Sequence, residues 1–179
     1  MNRELSVFFK PLSQISFDKS NTRPVCFFKN KFLSLDDAKG LLQRSNPLPS
    51  VDMIFISKEK EEIWFVEFKS SSQQNLNSKS EKIKLKRKIF GSLILLNELC
   101  CEKACEIIKY EKYYFVVYNK EFISYENEVI EYFEETSDRS IEFTLEDLKP
   151  SFIKDVLTEN CEQFTRLFSK RFNIDFIHE

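Results

Sequence analysis

Two apolar runs joined by four charged residues constrain the fold of this chain most strongly. The runs are VDMIFIS at 51–57 and EIWFVEFK at 62–69, and the joining residues are KEKE at 58–61. Short runs rich in β-branched and aromatic residues are typical of strands, and a short polar link between two such runs indicates a hairpin. The sequence therefore predicts a β-hairpin whose turn lies at 58–61.

Both faces of this hairpin are predicted to be apolar. Side chains alternate between the two faces of a strand, which sorts the residues into two sets. One set is Met53, Phe55, Trp64, Val66 and Phe68, and the other is Ile54, Ile56, Ile63 and Phe65. Because neither face is polar, we expect the hairpin to lie in the core of the domain.

Three charged residues interrupt this pattern at one end of the hairpin. If Ser57 pairs with Glu62, then Asp52 falls directly opposite Glu67. Cross-strand neighbours have Cβ atoms ~5 Å apart, and Lys69 points to the same face as Glu67. Buried charges are costly unless they are paired or bind a metal. The register therefore predicts a functional cluster of two carboxylates and an ammonium, with a solvated Asp and a Glu–Lys ion pair at the strand ends as the alternative.

The predicted cluster has the chemistry of a magnesium site. Carboxylate oxygens suit Mg²⁺ (or Mn²⁺), which keeps water and substrate phosphate oxygens as its other ligands. We expect Asp52 and Glu67 to bind the ion, with the backbone carbonyl of Phe68 as a further ligand. Lys69 would orient the attacking water or stabilise developing negative charge.

The same residues resemble a known motif. Pro49-Ser50-Val51-Asp52, fourteen residues and then Glu67-Phe68-Lys69 are similar to the signature of the PD-(D/E)XK nucleases of the restriction-endonuclease-like superfamily. The resemblance implies an αβββαβ core over about 34–119, Asp52 and Glu67 as metal ligands, and Lys69 as the catalytic lysine. It also implies an acidic residue on the first helix, for which Asp36 and Asp37 are the candidates.

The chain departs from the family pattern in two places. Val51 stands directly before Asp52, where the family has a proline, and the nearest proline is Pro49. No strand is evident between the first predicted helix and Asp52, so the segment PVCFFK at 24–29 would have to supply the strand that precedes the aspartate strand.

The remaining elements are predicted from periodicity and capping. Ser34 is expected to cap a short helix over 34–45. A long helix is predicted from about 81 to about 108, followed by an inner strand over 113–119. Helices are also predicted over 127–135, after Thr144, and over 151–172. The predicted class is therefore α/β (α+β) with a mixed sheet, divided into a core over 1–125 and an acidic, helical C-terminal region over 126–179.

Basic residues at the start of the long helix are predicted to contact nucleic acid. They follow the predicted cluster directly and would bind phosphates, which fixes a strand without reading its sequence. The candidates are Lys82, Lys84, Arg87 and Lys88, with Gln73 in the loop before them. An ordinary solvated helix face is the alternative. Because the net charge is only −2, binding has to rest on a local patch.

The sequence predicts a Mg²⁺-dependent endonuclease that acts on DNA rather than RNA, in defence, restriction or repair. The alternative is a non-catalytic module that binds a protein partner, or a second copy of itself, through its Phe-rich C-terminal helices. With only two glycines, no Gly-rich ATP- or NAD-binding loop can be written on the chain.

The composition also bears on where the protein acts. We expect no signal peptide, because the first residues lack a sufficiently long apolar run, and no membrane span. The cysteines number five, three of them clustered at 100, 101 and 105, so we expect reduced thiols in the cytoplasm. A zinc site at Cys101 and Cys105 is the alternative.

Overall fold

A six-stranded mixed sheet organises the chain in the computed structural model, which describes residues 3–18, 22–42, 48–70, 79–100, 109–118 and 152–178. The order of the sheet is β1-β4-β5-β6-β7-β8. Its strands are β1 Phe9–Pro11, β4 Lys31–Ser34, β5 Met53–Ser57, β6 Glu62–Lys69, β7 Glu111–Tyr118 and β8 Asp155–Asn160. A separate hairpin pairs β2, Phe17–Asp18, with β3, Arg23–Pro24.

The pairing confirms the predicted hairpin and its register. Strands β1, β4, β5 and β6 are antiparallel in succession, whereas β7 and β8 continue the sheet in parallel from β6. Ser57 pairs with Glu62, and Met53 pairs with Val66. The same register, continued by one position, sets Asp52 against Glu67. The α/β class and the mixed sheet predicted from the sequence are therefore confirmed.

Four α-helices lie within the described ranges: α1 Leu12–Ile15, α2 Leu35–Ala38, α3 Lys79–Cys100 and α4 Cys161–Phe172. The predicted cap of α2 is confirmed, because the hydroxyl of Ser34 accepts the N–H of Asp37. After Ala38 the helix tightens into a 3₁₀ turn, Lys39–Leu42. The part of the long predicted helix beyond Cys100 lies outside the described residues. Of the helices described, none has the length and apolarity that crossing a membrane requires.

The C-terminal region differs from the prediction. A helix was expected over 151–172, but 155–160 form β8, which pairs in parallel with β7. The helix begins only at Cys161, after a capping box in which Asn160 and Gln163 exchange bonds. Because β7 is buried and offers a free edge, a strand satisfies the backbone there. The division at 125/126 and the helices predicted over 127–135 and after Thr144 fall outside the described residues.

The sheet is covered on both faces, as the apolar hairpin requires. One face packs against α3 through Ile54, Phe65, Leu85 and Ile89. The other face packs against α4, where Phe164 and Phe168 are fully buried against the sheet's aromatic residues. Phe164 and Phe168, two of the phenylalanines considered for partner binding, are therefore core residues of the chain itself.

The strand that precedes the aspartate strand is β4, which lies one segment later than PVCFFK. It pairs with β5 through Leu33 and Ile54, and α2 follows it directly. In the expected αβββαβ order a helix precedes the first strand, whereas α2 here stands between the first strand and the second. The rest of the unit, β4-β5-β6-α3-β7, has the expected order.

Two cysteines contradict the expectation of reduced thiols. Cys26 and Cys161 form a disulfide across 135 residues of sequence, with their Cα atoms 5.6 Å apart. Cys26 follows the β2–β3 hairpin, and Cys161 begins α4, so only the tertiary fold brings them together. Cys101 and Cys105, the alternative zinc ligands, lie outside the described residues.

Helix α3 approaches the segment before β5 very closely at Gly91. A Cβ added to Gly91 would lie 1.9 Å from the carbonyl oxygen of Pro49, a distance at which the backbone must move. The neighbouring Ser92 hydroxyl accepts the N–H of Val51 at 2.9 Å. Glycine is thus required because two backbones meet, and the contact fixes the chain just before Asp52.

We predict that Gly91→Ala destabilises the protein by roughly 1–3 kcal/mol or more, because the added methyl group overpacks a backbone contact. Chemical denaturation followed by circular dichroism measures the change. Gly40→Ala is the matched control, since nothing lies within 4 Å of a Cβ at that position, and we expect a change within about 0.5 kcal/mol. Equal stability of the two variants would contradict the close approach.

Candidate active site

Hydrogen bonds to two helices hold the backbone of Val51 and Asp52 at the entrance of β5. The carbonyl oxygen of Asp52 accepts the N–H of Leu35, the first residue of α2, at 3.1 Å. On the other side, α3 holds Val51 through Ser92. The carboxylate turns back to β6, where Oδ2 accepts the N–H of Phe68 at 2.7 Å. The side chain thus takes the place of a ladder acceptor and is fixed in orientation.

Glu67 is the buried centre of the cluster. Its side chain is only 2% exposed, and two ammonium groups neutralise it. Lys88 Nζ donates to both carboxylate oxygens, at 2.6 and 2.8 Å, and lies 3.7 Å from Oδ1 of Asp52. Lys69 Nζ lies 3.1 Å from Oε1 of Glu67. Lys88 therefore stands between the two carboxylates, where a bound cation would be expected.

A third carboxylate holds Lys69 from the first turn of α3. Glu81 Oε1 accepts a hydrogen bond from Lys69 Nζ at 2.7 Å, and its other oxygen accepts one from Lys84 at 3.1 Å. Lys69 is consequently fixed between a strand carboxylate and a helix carboxylate. Two simultaneous ion pairs restrict the position of the Lys69 ammonium group more than one pair would.

The pKa values show an imbalance of charge in the cluster. Burial and then the charge of Glu67 raise the pKa of Asp52 to about 8, against the smaller opposing effects of Lys88 and the Phe68 N–H. Burial lowers the pKa values of Lys69 and Lys88, but their carboxylate partners outweigh it and raise both. Asp52 therefore carries a proton at neutral pH while both lysines stay charged.

A buried hydroxyl group lies close to the same carboxylates. Tyr114 on β7 is fully buried, and its hydroxyl has no hydrogen-bond partner within the described part of the chain. Burial, followed by the charges of Glu67 and Asp52, raises its pKa well above the ordinary value. An unsatisfied hydroxyl group at this depth costs free energy, so it is available to a water molecule or ligand that enters the cluster.

The structure brings together Asp52, Glu67 and Lys69, as the register predicted. The candidates for a further acidic ligand lie farther out. Asp36 accepts hydrogen bonds from Ser50 and Lys39 at 2.6 Å each, and its charge contributes to the raised pKa of Asp52. Asp37 instead pairs with Lys10 at 2.9 Å. Asp36 is thus the one that acts on the charge of Asp52, and its hydrogen bond with Ser50 holds the segment that leads to Asp52.

The residues predicted to contact nucleic acid differ in their exposure. Lys88 is inside the cluster, bound to Glu67. Lys84 has a side chain that is 67% exposed, and Arg87 is also exposed on α3. Lys82 is partly buried. Gln73 lies outside the described residues.

Sequence reasoning missed Glu81 and the inward position of Lys88. A helical signal was present for both, because Glu81, Leu85, Lys88 and Ser92 are spaced by four, three and four residues. That spacing places them on one face of a helix, and Leu85 and Ser92 are buried. Polar residues on the buried face of α3 could therefore have been recognised as partners of the strand charges.

The cluster offers two carboxylates to a metal ion. Across the described ranges, no group of three or more His, Cys, Asp or Glu side chains is placed to hold a metal ion. Asp52 and Glu67 remain as a pair of oxygen donors. The carbonyl of Phe68 points to the same side of β6 as its N–H, toward Asp52, because both groups of a strand residue face the same neighbour.

Comparisons of the chain with protein-family models, with curated proteins and with solved structures find no significant match.

We predict that the wild type loses stability as the pH rises and that Asp52→Asn removes this loss. Because folding raises the pKa of Asp52 from 3.8 to about 8, its stabilising contribution is present below pH 4 and is lost as the pH rises toward 8. The free energy of unfolding of the wild type should fall relative to the variant between those limits, by at most ~1.4 kcal/mol per pH unit.

Urea denaturation of both chains in EDTA at pH 5, 6, 7 and 8 measures this difference. Glu159, whose pKa burial raises to about 7, titrates in both chains and cancels in the comparison. A difference that does not change with pH would contradict the assigned protonation of Asp52.

Proposed function

We propose that the protein is a Mg²⁺-dependent (or Mn²⁺-dependent) nuclease that hydrolyses phosphodiester bonds, with DNA rather than RNA as its substrate. The observation that carries the proposal is the convergence of Asp52, Glu67 and Lys69 at one end of a buried hairpin. The alternative, a solvated Asp and a surface Glu–Lys ion pair, would leave these groups exposed to water. Exposed ion pairs of that kind contribute little to stability.

The charge of the cluster supports a divalent ion. Two carboxylates share the ammonium of Lys88, and Asp52 keeps its proton because burial and Glu67 oppose its ionisation. A divalent ion bound between the two carboxylates would favour the ionised form of Asp52. Asp52, Glu67 and the Phe68 carbonyl would hold Mg²⁺, which when bound polarises a phosphate and lowers the pKa of a bound water molecule.

The protein's own residues supply orientation and charge. Lys69, held by Glu67 and Glu81, offers a fixed ammonium group toward which a phosphate can place its developing negative charge. Lys84 and Arg87 extend from the same helix into solvent and would contact neighbouring phosphates. Such contacts position a strand and do not read its bases.

The order of elements is compatible with the proposal. The meander β4-β5-β6, the helix α3 and the parallel strand β7 correspond to the βββαβ part of the PD-(D/E)XK nuclease core that the sequence resembles. The position of α2 between β4 and β5 differs from that core. The part of the resemblance that supports the site assignment is therefore the hairpin, which carries Asp52, Glu67 and Lys69, together with α3.

The alternative of a partner-binding module has less support. It relied on the Phe-rich stripe of the C-terminal region, but Phe164 and Phe168 are fully buried against the sheet. On the described part of α4, Leu167 is the large apolar side chain that stays exposed. A single exposed leucine is ordinary for a protein surface.

We predict metal-dependent cleavage that falls at least about 100-fold in Asp52→Asn, Glu67→Gln and Lys69→Met, because each change removes a ligand or a stabilising charge. Single-stranded DNA, duplex DNA and RNA with Mg²⁺ or Mn²⁺ are the substrates to assay. Lys170→Met is the control, since Lys170 is exposed on α4, on the opposite face of the sheet from α3. Full cleavage by folded Glu67→Gln protein would refute the assignment.

We also predict that Lys88→Met binds Mn²⁺ about tenfold or more tightly than the wild type. The Lys88 ammonium occupies the space between the carboxylates, and a unit charge at about 4 Å contributes ~1–4 kcal/mol at effective dielectric constants between those of water and a protein surface. Isothermal titration calorimetry without nucleic acid gives the affinity. Lys84→Met, changed at an exposed lysine on the same helix, should match the wild type, and weaker binding by Lys88→Met would show that the lysine assists the metal.

A further inference from the structure

A cleft opens beside the cluster, between the ends of the central strands and the N-terminal hairpin. Its volume is about 310 Å³, near the lower end of the range of small-molecule sites. One wall contains Asp52 and Lys69, which belong to the proposed active site. The residues that line it are Ile15, Ser16, Phe17, Asp18, Val25, Asp52, Phe68, Lys69 and Ser70.

The wall opposite the active-site residues is firmly attached to the fold. The Ser16 hydroxyl donates to the carbonyl of Cys26 at 3.2 Å and accepts its N–H at 3.1 Å. Val25 N–H donates to the carbonyl of Ser16 at 3.0 Å, and the disulfide ties Cys26 to α4. The cleft is therefore built between two anchored elements.

Phe17 gives this wall an exposed aromatic surface. The residue is 48% exposed, although it lines the cleft. Phe27 and Phe90 are similarly exposed but do not line the cleft, whereas Phe164 and Phe168 are packed in the aromatic core. Exposing a phenylalanine beside a charged site costs hydrophobic free energy that stacking on a ligand recovers.

The charges of the cleft decide how a nucleotide would enter it. Lys69 lies on the active-site wall, where its ammonium group attracts a phosphate, and Asp18 lies on the hairpin wall. The sugar–phosphate backbone would therefore run along the active-site wall. The uncharged base would then face Ile15, Phe17 and Val25.

We propose that this cleft binds one unstacked nucleobase next to the cleaved phosphate, with Phe17 as its stacking platform. The substrate is therefore a single-stranded nucleic acid or a single-stranded end, since bases within a duplex are stacked on their neighbours. This inference rests on the proposed nuclease function and names its substrate class. Stacking of bases on aromatic side chains is a general way to bind single strands without reading their sequence.

Binding of fluorescently labelled DNA in EDTA tests the cleft without cleavage. The wild type should bind a single strand more tightly than a duplex of the same sequence. Phe17→Ala should weaken single-strand binding by about 5- to 150-fold, the range expected for the loss of one stacked base. Phe17→Trp should retain binding, which excludes a folding defect as the cause.

Phe27→Ala is the matched control. Phe27 is also 48% exposed but does not line the cleft, so its variant should bind like the wild type. Equal affinity of the Phe17 and Phe27 variants, or equal affinity of the wild type for duplex and single strand, would overturn the proposal.

The outcome also separates this inference from the proposed function. Phe17-dependent binding of single strands by a protein that cleaves nothing with Mg²⁺ or Mn²⁺ would support the cleft and reject the nuclease. Metal-dependent cleavage that is indifferent to Phe17→Ala would reject the cleft and keep the nuclease. Absence of nucleic-acid binding in EDTA, together with absence of cleavage with Mg²⁺ or Mn²⁺, would reject both.

Discussion

The burial of Glu67 is the constraint on which the rest of the site depends. A carboxylate that is 2% exposed at the end of an apolar sheet cannot remain ionised without cations close by. Lys69 supplies one from the same strand, and Lys88 supplies the other from α3. Helix α3 must therefore dock with a charged residue facing the sheet, and the contact of Gly91 with Pro49 allows it to come close enough.

The same docking explains why Asp52 differs from Glu67. Lys88 bonds both oxygens of Glu67 but stays 3.7 Å from Asp52, so Glu67 takes most of the positive charge. Asp52 is left with one backbone hydrogen bond and a proton. Of the two carboxylates that face each other across the hairpin, Asp52 is the one whose pKa burial and the charge of Glu67 raise.

Much of the central hairpin could be predicted from local patterns. The register of β5 and β6 follows from the apolar runs and the turn, because a slip by one residue would exchange the two faces. Residues 155–160 were predicted as a helix, since a run such as DVLTEN has no strong preference. They form a strand because the exposed edge of β7 required a partner. The disulfide between Cys26 and Cys161 joins segments separated by 135 residues, and no local pattern indicates such a pairing.

The sequence by itself determined which charges lie on which face of the hairpin, because strand alternation is a local property of the backbone. Asp52, Glu67 and Lys69 were identified in this way. Only the tertiary structure decided that Lys88 and Glu81 complete the cluster and that Phe17 stands across a cleft from Lys69. These contacts join a strand to a helix or to a distant hairpin, and they depend on how whole elements pack, which the local periodicity of either segment does not specify.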